Sequence, residues 1–169
     1  ARQTIKAFEG YDYIVAPSGS CAGMLSKHYP ELFEGDDAMS ARARDLARRT
    51  YELIAFMTDV RGMTSVDAEF DGAVTYHDSC SSLREIQVRT QPRKLLQSID
   101  GVDIRELTFN EACCGFGGTF CVKYPDISNK MVGDKCADIS ETGAGTVLAG
   151  DMGCLLNIAG KLKREGSSV

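Results

Sequence analysis

Cysteines carry the clearest chemical signal in this sequence, which has seven of them among 169 residues. The densest group is the adjacent pair Cys113 and Cys114, which opens the glycine-rich segment Cys113 to Phe120. Adjacent cysteines rarely form a relaxed disulfide with each other, but in a loop both sulfurs can turn toward one polynuclear centre. Iron–sulfur clusters are held by Cys thiolates, and nearby glycine N–H groups can hydrogen-bond their sulfides. The pair therefore predicts an iron–sulfur site, with a glycine-rich turn carrying two buried thiols as the alternative.

Three more cysteines, Cys21, Cys80 and Cys154, share one local context. Each follows a short predicted strand and lies at the start of a predicted helix. Open α/β sheets place their ligands at the carboxyl ends of parallel strands, and a helix N-terminus favours the thiolate form of cysteine. We therefore expect these thiols to lie in one crevice.

The elements that must position the cysteines alternate between strands and helices. The predicted strands are Tyr11 to Ala16, Ala73 to Tyr76, Val102 to Leu107 and Thr146 to Ala149. Helices are predicted from Asp37 to Arg61, from Pro125 to Gly143 and around Pro92 to Ser98. This alternation favours an α/β fold built on a parallel sheet, with Rossmann-like layers of helices.

Composition limits the classes of protein to which the chain can belong. A content of 43% hydrophobic and 25% charged residues is typical of one globular domain. The net charge of −5 disfavours nucleic acid as a partner. No apolar stretch approaches the roughly 20 residues of a membrane span, and the first residues lack the apolar core of a signal peptide. An odd cysteine count without such a signal favours a cytoplasmic protein over a disulfide scaffold.

An internal match indicates a duplicated unit. Ile14 to Cys21 aligns without gaps to Val147 to Cys154 at an offset of 133 residues, and both segments read as strand, turn and cysteine. A chance match is the competing explanation. If duplication is correct, the counterparts of Cys113 and Cys114 precede residue 1. We then expect the chain, which also lacks an initiator Met, to begin inside a first repeat.

Four motifs together resemble a known family. Cys80, the pair Cys113 and Cys114, and Cys154 follow the spacing of the cysteine-rich CCG domain found in the B subunit of heterodisulfide reductase and in glycolate oxidase iron–sulfur subunits. The chain is more fully similar to the lactate utilization protein A family, in which PSGSC, H-x-SC, CCGFGGTF and GCL(L/M)NI-x-G occur in this order. These motifs stand here at Pro17 to Cys21, His77 to Cys80, Cys113 to Phe120 and Gly153 to Gly160.

This resemblance implies a division into two units and one ligand set. Residues 1–62 would be the C-terminal part of a first CCG repeat plus a linking helix, and 63–169 a second repeat without its last strand and helix. The second repeat would bind an iron–sulfur cluster, whereas Cys21 would belong to the first repeat's set. The implied cluster ligands are Cys80, Cys113, Cys114 and Cys154.

One departure from the fuller CCG pattern affects the expected cofactor. Asn157 stands where the fuller pattern has a fifth cysteine, so four thiolates remain and an ordinary [4Fe–4S] cluster fits them best. The same four sulfurs could instead bind structural Zn²⁺ tetrahedrally. Cys121 and Cys136 are expected to be bystanders, and His77 to lie next to the ligands rather than among them.

The resemblance also implies a function. The chain would be a cytoplasmic electron-transfer subunit, without catalytic residues of its own, in a complex that oxidises L-lactate to pyruvate with other subunits. Homo-oligomerisation is compatible with this interpretation. The alternatives are a zinc-stabilised interaction domain and, less favoured, thiol–disulfide exchange through Cys113 and Cys114.

Overall fold

Two parallel sheets organise the molecule in the computed structural model, which describes residues 1–169. One sheet pairs β1 with β2, and the other has the strand order β4-β3-β5. Because all of these pairs are parallel, the carboxyl ends of the strands in a sheet lie at one edge. The strands confirm the predicted α/β fold with Rossmann-like layers, and they are β1 (Ile14–Ala16), β2 (Thr50–Glu52), β3 (Glu69–His77), β4 (Asp100–Ile104) and β5 (Thr146–Ala149).

Ten α-helices connect and cover these strands. They are α1 (Arg2–Ala7), α2 (Gly19–Gly23), α3 (Tyr29–Glu31), α4 (Asp37–Arg49), α5 (Leu53–Ala55), α6 (Cys80–Arg84), α7 (Thr90–Leu96), α8 (Phe120–Lys123), α9 (Pro125–Glu141) and α10 (Met152–Arg164). Two π-helical turns, Met24–His28 and Phe56–Val60, continue α2 and α5. None of these helices combines the length and the apolar character that crossing a membrane requires.

Most of the predicted elements are present. The strand predicted at Thr146 to Ala149 is β5, and the other three predicted strands overlap β1, β3 and β4. The helix predicted after Pro125 is α9, which has that proline in its first turn and ends just before Gly143, whose φ is +65°. The short helix predicted near Pro92 is α7.

The single helix predicted from Asp37 to Arg61 is wrong. Helix α4 ends at Arg49, and β2 follows it in parallel pairing with β1. The Thr50 hydroxyl donates a hydrogen bond to the Leu46 carbonyl at 2.8 Å, and the next residues gain backbone partners from β1. β-branched and aromatic residues fit a strand better than a helix, so the tertiary pairing outweighs the helical spacing of the apolar residues.

Each sheet has its own hydrophobic core. The core beside β1 contains Ile5, Ile14, Phe33, Met39, Ala43 and Leu46. The core beside β5 contains Leu107, Cys114, Val132, Cys136, Ile139, Cys154, Ile158 and Leu162. Two of the predicted ligands are therefore fixed within a packed core rather than on a loop surface. The division of the chain at residues 62 and 63 stays a prediction.

A buried carboxylate joins the two strand–turn–helix segments that match in sequence. Ser18 precedes α2 and Asp151 precedes α10, at equivalent positions of the internal match. One Asp151 oxygen accepts hydrogen bonds from the Ser18 hydroxyl at 2.8 Å and from the Ser20 hydroxyl at 2.8 Å. The other Asp151 oxygen caps α10 by accepting from the Gly153 N–H. Both helix starts are thus held beside each other.

Candidate metal centre

Three side chains from three different elements meet at the carboxyl edge of the β4-β3-β5 sheet. His77 is the last residue of β3, Cys114 lies in the loop before α8, and Cys154 lies in the first turn of α10. Their ligand atoms all lie within 4.8 Å of one another, and all three residues are buried. The sheet edge therefore places sulfur and nitrogen donors in one small volume.

The two remaining predicted ligands adjoin this group. The Cys113 thiol adjoins the thiols of Cys80 and Cys114, and Cys114 adjoins Cys154 in turn. Cys80 and Cys113 are half-buried, whereas Cys114 and Cys154 are buried. The structure thus brings together all four cysteines predicted as one ligand set, in a row that runs from the surface into the core.

The electrostatics of the row favour a bound cation. Hydrogen bonding to Cys113 and burial raise the pKa of Cys80 well above the ordinary range. Hydrogen bonding to Cys113 lowers the pKa of Cys114, but hydrogen bonding to Cys154 and burial raise it to about 12. Thiols this close resist becoming thiolates together, because each new negative charge repels the next. A metal cation removes that repulsion, so the donor set fits a thiolate-bound centre.

The glycine after the cysteine pair packs the loop tightly against α9. The Gly115 N–H donates to the Cys113 sulfur at 3.4 Å, and the Gly115 carbonyl accepts from the Ser128 hydroxyl at 2.8 Å. Gly115 has a φ of +77°, and a Cβ built on it would lie 2.8 Å from the Ser128 carbonyl oxygen. Only glycine meets both the backbone conformation and the close approach.

Gly115→Ala is expected to destabilise the protein by about 2–4 kcal/mol, because it adds backbone strain to a steric clash with α9. Gly118→Ala is the matched control. The φ of Gly118 is also positive, at +59°, but no atom lies within 4 Å of the position that a Cβ would take. That variant should lose only about 1 kcal/mol, from the backbone conformation alone. Urea unfolding of both variants measures the difference, and equal losses would contradict the proposed packing.

Two contacts attach the same loop to α10. The Phe116 ring lies so close to Gly153 that a Cβ at this position would overlap it. The Asn157 side chain donates to the Cys114 carbonyl at 2.9 Å. Asn157, which stands where the fuller CCG pattern has a fifth cysteine, therefore fixes the backbone of Cys114 instead of supplying another sulfur.

A buried ion pair fixes the segment that precedes the cysteine pair. The Asp138 carboxylate accepts from the Thr108 and Phe109 N–H groups at 2.9 and 3.1 Å. The Lys135 ammonium donates to the Phe109 carbonyl at 2.6 Å and lies 3.5 Å from Asp138. Burial lowers the pKa of Lys135, although Asp138 opposes that shift. This pair could not be predicted from the sequence, because Lys135 lies on the face of its predicted helix that is expected to pack in the core.

His77 is unusual because no partner satisfies its ring. The side chain is fully buried, and neither ring nitrogen has a hydrogen-bond partner. Burial and the nearby Lys135 charge lower the pKa of His77 to about 4, so the ring is neutral at neutral pH. A neutral imidazole has one donor and one acceptor nitrogen. The nitrogen that lies near Cys114 and Cys154 is therefore available to a group bound between them.

Asp78 forms an ion pair and does not cap the helix that follows it. The cap of α6 is Ser79, whose hydroxyl accepts from the Ser82 N–H at 3.2 Å. The Asp78 carboxylate forms a two-pronged ion pair with Arg93, at 3.0 and 2.8 Å. Arg93 also binds Glu106. Arg93 could not be identified from the sequence as the partner of Asp78, because no local pattern relates α7 to the end of β3.

The other three cysteines make different contacts. Cys21 is exposed on α2 and lines a surface groove beside β1. The half-buried Cys121 thiol donates to the Gly118 carbonyl at 3.2 Å. Cys136 is buried in the core near the Ile158 carbonyl, as predicted, and burial raises its pKa to about 11. Membership of Cys21 in a separate ligand set stays a prediction.

Comparisons with known proteins show which family the chain is similar to. The sequence profile of the CCG family, described as a cysteine-rich domain, matches residues 74–159 and so includes all four cysteines of the row. Over 168 residues the chain is 51% identical to lactate utilization protein A of Oceanobacillus iheyensis, covering 99% of this chain and 68% of that protein. The protein of the same name from Macrococcus caseolyticus is 47% identical over 169 residues, 100% of this chain and 69% of its own. Lactate utilization protein A 2 of Bacillus cereus is 44% identical, with 100% and 70% covered.

Proposed function

Because the chain belongs to the lactate utilization protein A family and carries a CCG cysteine-rich domain, we propose that it is an iron–sulfur electron-transfer subunit. It would work in a complex that oxidises a 2-hydroxy acid, with L-lactate as the substrate and pyruvate as the product. The observation that carries the proposal is the row of four adjacent thiols, Cys80, Cys113, Cys114 and Cys154. The names of the relatives support lactate utilization as the physiological setting.

The residues of the row suit a [4Fe–4S] cluster. A bound iron–sulfur cluster supplies one-electron transfer. Four thiolates match its four irons, and the Gly115 N–H lies where it can stabilise negative charge on sulfur. Cys114 and Cys154 exclude water from the inner side of the site, whereas the half-buried Cys80 and Cys113 leave the outer side open to an electron partner.

The proposal includes partner subunits and a location. Oxidation of a hydroxy acid releases two electrons and two protons, so another subunit must take the hydride or the proton from the substrate. This chain would then relay the electrons one at a time. We place the complex in the cytoplasm, because thiolate ligands need a reducing compartment. Homo-oligomerisation remains compatible with this assignment.

Anaerobic reconstitution tests the proposal. The protein should take up about four irons and four acid-labile sulfides per chain, with broad visible absorbance that bleaches on reduction. The reduced protein should also give an electron paramagnetic resonance (EPR) signal. Absence of iron and sulfide after reconstitution would contradict the proposal.

A zinc-stabilised domain is the second candidate function. Its supporting observation is the compact group of His77, Cys114 and Cys154, whose ligand atoms lie within 4.8 Å of one another. Zinc prefers a tetrahedral set of sulfur and imidazole ligands. About one zinc per chain in anaerobically purified protein, with unfolding on chelation, would support this candidate over the first.

A further inference from the structure

The His77 ring is a buried polar group that makes no hydrogen bond within the protein. It is 0% exposed, and both of its nitrogens lack partners. Buried polar groups are almost always hydrogen-bonded, because leaving them without a partner sacrifices the hydration they had in the unfolded chain. The orphaned nitrogens therefore point to a partner that the protein chain does not supply.

The backbone fixes the direction of this ring. His77 is the last residue of the central strand β3 and is in register with Ala149 of β5. Its pairing in the sheet holds the residue at the sheet edge, and one of its ring nitrogens lies within 4.8 Å of the sulfurs of Cys114 and Cys154. The missing partner of that nitrogen must therefore lie against these two sulfurs.

We propose that His77 donates an N–H hydrogen bond to a sulfur of the bound cluster and thereby raises the cluster's reduction potential. This inference rests on the proposed iron–sulfur function. An imidazole has at least one N–H in either protonation state. A donor stabilises the reduced cluster more than the oxidised one, because the reduced cluster carries one more negative charge. His77 is a hydrogen-bond donor to the cluster rather than one of its ligands, since four thiolates already meet the four irons.

Three variants separate this role from a structural one. His77→Leu removes the donor, and His77→Gln keeps an N–H on a shorter, uncharged side chain. Thr75→Val is the matched control, because Thr75 lies on the same face of β3, is also fully buried, and has the only other unpartnered buried side-chain atom. None of these changes removes a sulfur ligand.

The readouts are iron and sulfide content and the midpoint potential from an anaerobic EPR-monitored titration. His77→Leu should keep its iron and have a lower potential, by about 59 mV for a tenfold change in the one-electron equilibrium. His77→Gln should lie nearer to the wild-type potential, and Thr75→Val should match it. Pulsed EPR of reduced wild-type protein containing ¹⁵N-histidine should detect one weakly coupled histidine nitrogen.

The outcomes distinguish this inference from the proposed function. Full iron content with an unchanged potential in His77→Leu overturns the hydrogen bond but leaves the iron–sulfur function intact. A strongly coupled histidine nitrogen makes His77 a ligand and overturns the inference, as does the absence of any coupling. The pulsed EPR result does not depend on whether a variant folds. Wild-type protein that binds no iron overturns the proposed function itself.

Discussion

Cys114→Ala is expected to reduce bound iron and sulfide to less than about one tenth of the wild-type content after anaerobic reconstitution. Cys114 is central in the row, since its thiol adjoins those of both Cys113 and Cys154. Its removal therefore deletes one ligand and separates the remaining sulfurs into two groups. Alanine cannot substitute as a ligand, and the buried position leaves little room for water to do so. Iron and sulfide assays, with visible absorbance, measure the loss.

Cys136→Ala is the matched control for this variant. Both cysteines are 2% exposed and belong to the same hydrophobic core, but Cys136 lies near the Ile158 carbonyl and outside the row. Each substitution should destabilise the fold by about 1 kcal/mol, because each removes one buried sulfur. Only Cys114→Ala should lose the cofactor. Full iron content in Cys114→Ala, or equal loss in both variants, would remove Cys114 from the ligand set.

The grouping of the four cysteines could be predicted from the sequence because its signals are local. Cys80 and Cys154 each follow a strand, and parallel strands bring their carboxyl ends to one edge without further information. The pair Cys113 and Cys114 is marked by the glycine that follows it, whose positive φ the structure requires. Helix α9 could also be predicted from local signals, since Pro125 and Gly143 mark its two ends.

Features that depend on distant partners could not be predicted in the same way. Thr50 and its neighbours continue the helical spacing of apolar residues, and only pairing with β1 makes them a strand. Sequence reasoning identified His77 as a neighbour of the centre, but its complete lack of partners follows from the packing around β3. The ion pair of Asp78 depends on Arg93 of α7, and no local pattern in the sequence relates these two residues.

Arg93→Met is expected to lower the free energy of unfolding by about 3–5 kcal/mol, because it leaves a buried carboxylate without its counterion. The Asp78 side chain is 1% exposed and its ion pair with Arg93 is 2.8 Å long. Asp78 lies between His77 and the start of α6, so the unpaired charge disturbs the strand end that presents the row. Urea unfolding measures the loss, and the cofactor content after reconstitution should fall with it.

Two further variants identify the cause of that loss. Arg89→Met breaks an exposed ion pair with Glu111, whose partners lie 3.1 Å apart, and should cost less than about 1 kcal/mol. Adding Asp78→Asn to Arg93→Met removes the uncompensated charge and should restore part of the lost stability. If Arg93→Met costs no more than Arg89→Met, burial of Asp78 does not depend on its counterion. If the double variant is as unstable as the single one, the loss comes from the packing of Arg93 rather than from its charge.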